Sequence, residues 1–155
     1  MSDLGNLLTP KGVVVNAQAN CKREALSLLA EKSGELAGIA SEKILSVLQE
    51  REKLGSTGVG GGIAIPHGKV KGINDMLGVL ALLKKPVDFD AVDDEPVDLL
   101  FLLLAPEEAN AMHLKTLSRV ARLMRNDEVR AAMRGASSSD ALYAIAMERE
   151  RSRAA

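Results

Sequence analysis

Val97-Asp98-Leu99-Leu100-Phe101-Leu102-Leu103-Leu104 carries a single polar residue in eight. A run this short and this apolar reads as a β-strand covered on both faces, at the centre of a sheet. Extended through Ala105 it still holds Asp98 and is far too short to cross a bilayer. Just upstream, Met76 to Leu83 reads as a second strand. Pro86, Asp88, Asp90 and Asp93-Asp94-Glu95-Pro96 punctuate the connection between the two. Ile63-Ala64-Ile65 is a third, short strand that Pro66 is expected to close. Val13-Val14-Val15, bounded by Gly12 and Asn16, is the first strand of the chain.

Helices fill the rest. Asn20 is expected to cap one carrying Ala25, Leu26, Leu28, Leu29 and Leu36 and ending near Gly38. Ser41 is expected to cap another, whose polar tail Gln49-Glu50-Arg51-Glu52-Lys53 runs into Gly55. Beyond Pro106, with Asn110 as cap, Leu114, Leu117, Val120, Ala121 and Met124 form an apolar stripe at helical spacing. A short helix spans about 127–133 and ends at Gly135. Ser138 or Ser139 opens a last one, with a charged tail over 146–155 expected to fray. The order of strand, two helices, three strands and helices predicts a layered α/β domain, with the sheet between helices. The 155 residues contain no internal repeat and no dividing linker, so one domain over 1–155 is expected.

Apolar residues make up 46% of the chain, and charged residues 26% with a net charge of −1. That balance supports a packed core and argues against nucleic acid or an anionic membrane as partner. Phe89, Phe101 and Tyr143 are the only aromatic residues, too few for a base-stacking platform. Cys21 is the single cysteine, which excludes an internal disulfide or a cysteine metal cluster and fits a reducing cytoplasm. The start Met1-Ser2-Asp3-Leu4-Gly5 lacks the blocks of a signal peptide, so a cytoplasmic location without membrane insertion is expected.

Five of the eight residues from Gly55 to Gly62 are glycine, which reads as a loop of unusual backbone freedom. It is not a P-loop: Gly68-Lys69 has Ile63, not glycine, at the required upstream position, and Val70 follows. The dinucleotide pattern fails as well, because Gly58 and Gly60 would need a glycine at 63. What the segment offers is His67 beside Pro66, whose ring stiffens the backbone. Gly68 is expected to leave room beside the imidazole for another protein's reactive group. The upstream glycines are expected to turn N–H groups towards an anion. A neutral imidazole is a competent nucleophile near neutral pH. A hydrogen-bonded turn histidine with no chemistry is the other reading of His67. His113 is likewise either a core histidine beside Leu117 or a second donor to a phosphate. Two histidines with no further ligand spacing do not make a metal site. Arg51 is a solvated charge or a fork for phosphoryl oxygens. Ser56 and Thr57 are turn hydroxyls or donors to the same oxygens. The acidic Asp93-Asp94-Glu95 reads as a solvated loop.

Arg51-Glu52, Ser56-Thr57-Gly58-Val59-Gly60 and Gly62-Ile63-Ala64-Ile65-Pro66-His67-Gly68-Lys69 together resemble the active-site signature of type-2 enzyme IIA domains. These form the fructose/mannitol class of the bacterial phosphoenolpyruvate phosphotransferase system. Phe89 to Phe101 and His113-Leu114-Lys115-Thr116-Leu117-Ser118 match as well, so the resemblance covers nearly the whole chain. Ile-Ala-Ile-Pro-His-Gly-Lys at 63–69 looks most like the nitrogen-regulatory branch. The resemblance implies a three-layer α/β/α sandwich with a mixed central sheet. It implies that His67 is phosphorylated, at Nε2, by a histidine-phosphorylatable carrier (NPr/HPr-like), with Arg51 and His113 in the same pocket and Ser56, Thr57 and Gly58 assisting. It implies no cofactor and no metal. Sensor kinases and potassium transporters are the targets implied, in potassium, nitrogen and carbon metabolism. A sugar-specific enzyme IIA passing phosphate to a IIB domain is the alternative. No IIB or membrane IIC segment follows on this chain, which favours the regulator. A third possibility, a non-phosphorylated interaction domain of the same fold, sits poorly with the intact set Arg51, His67 and His113.

Overall fold

The structure, a computed structural model, describes residues 4–109 and 111–154, with side chains described over 6–109 and 111–149. A short helix α1 (Leu4–Leu7) and a 3-10 turn (Pro10–Gly12) lead into β1 (Val13–Ala17). Helices α2 (Lys22–Ala37) and α3 (Ser41–Lys53) follow. Then come β2 (Gly58–Gly60), β3 (Ile63–Ala64), β4 (His67–Val70), β5 (Leu77–Val87) and β6 (Val97–Pro106). Helices α4 (Ala111–Met124), α5 (Asp127–Arg134) and α6 (Ser139–Ala154) complete the chain.

The central strand is β6, as its composition demands. Leu100, Leu102 and Leu104 pack with Leu26, Leu29, Ile44 and Leu48 of α2 and α3. Leu99, Phe101 and Leu103 pack on the other face with Val120, Leu123, Met133 and Leu142 of α4, α5 and α6. Period-2 alternation in a strand that is apolar at nearly every position thus feeds two separate cores, and the three layers follow from it. The sheet order is β1-β5-β6-β3-β2, with β4 also on β6. It is mixed: β1 lies parallel to β5, β5 antiparallel to β6, β3 and β4 parallel to β6, and β2 antiparallel to β3.

Several local expectations need correction. The short strand does close ahead of Pro66, at Ala64, but pairing to β6 does not stop there. The chain pairs Ile63 and Ala64 with Leu99 and Leu100, skips Ile65 and Pro66, then resumes pairing from His67 opposite Leu103. Proline has no N–H to give, but its carbonyl accepts from Leu103 N–H at 2.9 Å, which holds the gap shut. Pro86 lies inside β5 rather than in the connection. β1 reaches only to Leu83, so beyond it β5 has a free side where proline loses no rung, and the register there is irregular.

Cys21 and Ala40, not Asn20 and Ser41, stand at the helix starts, without side-chain caps. At α2 it is Glu24 that reaches back to the Asn20 N–H, at 2.7 Å. Gly38 ends α2 in the left-handed conformation, φ 71°, as glycine there should. Asn126 caps α5, and Ser138 caps α6 by accepting from Ala141 N–H. Leu114, assigned to the apolar stripe of α4, is exposed, while Thr116 and Leu123 are buried. Asn110 lies outside the described residues. The tail expected to fray is helical to Ala154, and Ala146 and Met147 are core residues.

Candidate phosphoryl-transfer site

The glycine run forms the β2–β3 hairpin. Gly60, Gly61 and Gly62 turn it with φ of 101°, 70° and 79°, a region side-chain-bearing residues rarely adopt. The turn does present an N–H to an anion, but the anion is the protein's own. Gly61 N–H donates to Asp93 at 3.0 Å, and the Asp93 carboxyl is held below its usual range by the N–H groups of Glu95 and Gly61. Arg134 of α5 clamps the other side, donating to the Gly61 carbonyl at 2.8 Å and forking onto Asp98. Asp93 is therefore a cap on the turn rather than a merely solvated acid. The turn pairs with the Leu99 end of β6, whereas His67 opens β4 at Leu103.

His67 Nδ1 lies 2.9 Å from the Ile65 carbonyl, and Arg51 Nε lies 3.3 Å from His67 Nε2. A carbonyl oxygen can only accept, so Nδ1 carries the proton and Nε2 the lone pair. The Arg51 N–H is directed at that lone pair, which fits the same tautomer. A second Arg51 nitrogen, Nη1, donates to the Gly55 carbonyl at 3.0 Å, tying the guanidinium to the turn after α3. Burial pushes the His67 pKa below 6.5, and the Arg51 charge pushes the same way. The Ile65 carbonyl and the Glu52 carboxylate oppose them. The imidazole is accordingly neutral at pH 7, with Nδ1–H held by Ile65 and the Nε2 lone pair met by Arg51.

A cleft of about 130 Å³ opens at His67, lined also by Arg51, His113, Leu117 and the apolar Val47 and Leu103 among others. The structure thus brings His67, Arg51 and His113 together. Ser56, Thr57 and Gly58 do not line the cleft. Ser56 donates to the Phe89 carbonyl at 2.7 Å and accepts from Gly58 N–H at 3.0 Å, while Thr57 bonds Glu52 through both its N–H and its hydroxyl. Gly58 is a close-approach glycine: a Cβ there would lie 2.9 Å from Ala91 Cβ. Gly68 likewise makes room for a neighbour within the chain, since a Cβ would collide with Val47 Cγ1 of α3. This seats α3 on β4 and sets Arg51, one helical turn past Val47, over His67. The role expected for Gly68, space for a partner's reactive group, is not what the contact shows.

Glu52 was legible only as a motif letter. Its signal was its place: a carboxylate in the last turn of a helix opposes the helix dipole and so calls for a partner.

The model of the type-2 EIIA family of the phosphoenolpyruvate-dependent sugar phosphotransferase system matches residues 6–148. The chain belongs to that family. Among type-2 EIIA proteins, the nitrogen regulatory protein of Bradyrhizobium diazoefficiens is 44% identical over 140 residues, covering 90% of this chain and 92% of that protein. The nitrogen regulatory protein of Pseudomonas aeruginosa is 41% identical over 149 residues, covering 96% and 97%. The crystal structure of nitrogen regulatory protein IIA-Ntr from Neisseria meningitidis superposes with a TM-score of 0.86 at 33% identity, covering 92% of this chain and 98% of that one. This type-2 EIIA chain is therefore a phosphotransferase-system component, similar over most of its length to nitrogen regulatory proteins. Among its described residues, no helix is long and apolar enough to cross a membrane.

Proposed function

We propose that the protein is a cytoplasmic phosphocarrier of a nitrogen-regulatory phosphotransferase system. His67 takes a phosphoryl group on Nε2 from an NPr/HPr-like carrier, and the modified and unmodified forms act differently on partner proteins. The observation that carries this reading is the fixed tautomer: Nδ1–H is held by Ile65, and the Nε2 lone pair meets Arg51 on a histidine that lines one cleft with Arg51 and His113.

In the transfer, the donor's N–P bond breaks as the Nε2–P bond forms. The donor imidazole recovers its electron pair, and His67 keeps its Nδ1 proton on the Ile65 carbonyl, so no proton has to move. Arg51 must leave the lone pair for the reaction to occur. Its guanidinium fork then suits the phosphoryl oxygens, where transition-state charge is diffuse and positioning does most of the catalysis. His113, on the same cleft, is a second donor to those oxygens. Ser56, Thr57 and Gly58 support the site from behind, through Phe89, Glu52 and one another.

A phosphoryl group adds about −1.5 to −2 charges. Leu54, which precedes Gly55, is 84% exposed, and Met112 and Leu114, either side of His113 in sequence, are 47% and 56% exposed. A face that offers apolar side chains before modification offers a dianion after it, which supports control of targets such as sensor kinases or potassium transporters. A sugar-specific enzyme IIA would use the same chemistry and pass the group to a IIB domain. The identity to nitrogen regulatory proteins favours the regulator.

Incubation with phosphoenolpyruvate, enzyme I and carrier, followed by intact-mass measurement, should add one phosphate to the wild type and none to His67→Ala. A phosphate that survives in His67→Ala refutes the assignment. The phosphorylated protein should not discharge to fructose- or mannitol-type IIB; rapid discharge would favour the sugar enzyme.

A further inference from the structure

Glu52 follows Arg51 directly, yet its side chain is only 7% exposed and makes a separate set of contacts. Oε1 accepts from Thr57 N–H at 3.1 Å and lies 2.9 Å from Lys22 Nζ, and Oε2 accepts from the Thr57 hydroxyl. A buried carboxylate persists as a charge only when its oxygens are matched, and here both are. Thr57 is itself buried.

From Thr57 two routes lead to His67. The Thr57 carbonyl accepts from Ile65 N–H at 2.9 Å, and the Ile65 carbonyl holds His67 Nδ1. The turn that Thr57 closes also includes Gly55, whose carbonyl holds Arg51 on Nε2. Both hydrogen bonds that orient the imidazole therefore depend on one short segment, 54–57, that Glu52 clasps. We propose that Glu52 and Thr57, with Lys22 as counter-ion, are positioning residues that hold the nucleophile and its arginine in register. This deepens the reading of His67 as phosphoryl acceptor and rests on it. The carboxylate also works against the loss of basicity that burial and Arg51 impose on His67.

The test uses two donors, phosphoramidate, which needs no docking surface, and the phosphorylated carrier protein. Rates of His67 phosphorylation are compared for wild type, Glu52→Gln, Thr57→Val and Thr57→Ser, each checked for folding by urea midpoint. Thr57→Val and Glu52→Gln should lower kcat about 10- to 100-fold with both donors, the loss expected for an ångström-scale misplacement, while KM stays near wild type. Thr57→Ser, which keeps the hydroxyl, should recover most of the rate. The NMR signal of Arg51 Nε–H on His67 Nε2 should vanish in the slow variants only.

Wild-type kcat in folded Thr57→Val overturns the proposal, and so does a loss in Thr57→Ser equal to that in Thr57→Val. If Glu52→Gln does not fold, the isosteric Thr57→Val decides alone. If the wild type takes phosphate from neither donor, the phosphocarrier reading falls, and the Arg51–His67 signal still shows whether the clasp holds the pair.

Discussion

Replacing Gly58 with alanine adds one methyl where the chain has no space for it. The new Cβ would lie 2.9 Å from Ala91 Cβ and 3.0 Å from Ala91 Cα. Carbon atoms pack best at about 3.5–4.0 Å, so the approach is short by half an ångström or more against backbone as well as side chain. The neighbouring segment cannot simply turn aside, because Val92 N–H donates to the Gly58 carbonyl at 3.1 Å and Ser56 is bonded to the Phe89 carbonyl. Overpacking of this kind costs about 1–3 kcal/mol. Removing glycine's freedom from a strand returns about 0.5–1 kcal/mol, leaving a net loss of up to about 2.5 kcal/mol. Urea unfolding should show a lowered midpoint with an unchanged m-value. Ala91→Gly in the same chain should recover part of the loss but not all, since the clash with the backbone at position 91 persists. Phosphoryl acceptance by His67 should remain close to wild type, because Gly58 N–H is spent on Ser56 and not on the cleft. A stable Gly58→Ala that accepts phosphate about 100-fold more slowly, the scale of a lost oxyanion donor, would refute this account and restore Gly58 to the phosphate.

Gly68→Ala should be destabilising by about 1–3 kcal/mol through its collision with Val47, and Val47→Ala in the same chain should relieve it; a thermal-melt double-mutant cycle with no coupling would contradict the packing described. NMR titration of His67 should give a midpoint below 6.5, and Arg51→Gln should raise it. The unfolded chain then takes up the proton first as pH falls, so stability attributable to His67 is lost between 6.5 and the lower folded value and is constant below it. A midpoint above 6.5 would remove the case for a neutral nucleophile held by burial.

The layers and the central strand were legible because β6 is apolar on both faces over its whole length, a pattern with few other solutions. The histidine, the arginine and their shared cleft were legible through the resemblance to type-2 enzyme IIA domains, because local chemistry alone left each residue an ordinary structural role. What escaped was non-local. Nothing in Pro66 or Pro86 tells which side of the strand has a neighbour, and that alone decides whether a proline breaks a strand or rides in it. The helix starts at Cys21 and Ala40 escaped because neither residue carries a capping oxygen, so the better capping residues nearby misled. Gly68 and Gly58 looked like freedom and are clearance, a distinction set by Val47 and Ala91, which lie far away in sequence. Glu52 shows the same limit: its partners Lys22 and Thr57 straddle two helices and a turn.

The gap in pairing at Ile65 and Pro66 leaves the Ile65 carbonyl for the imidazole, while the strand is stitched to β6 before and after it. The nucleophile is thus rooted on a strand bonded directly to the central β6 instead of on a loop that opens by itself. Core strands such as β6 open with free energies that approach that of global unfolding. The capacity of His67 to accept a phosphoryl group should therefore survive warming until the whole domain melts, with hydrogen exchange at Leu103 N–H marking the same threshold.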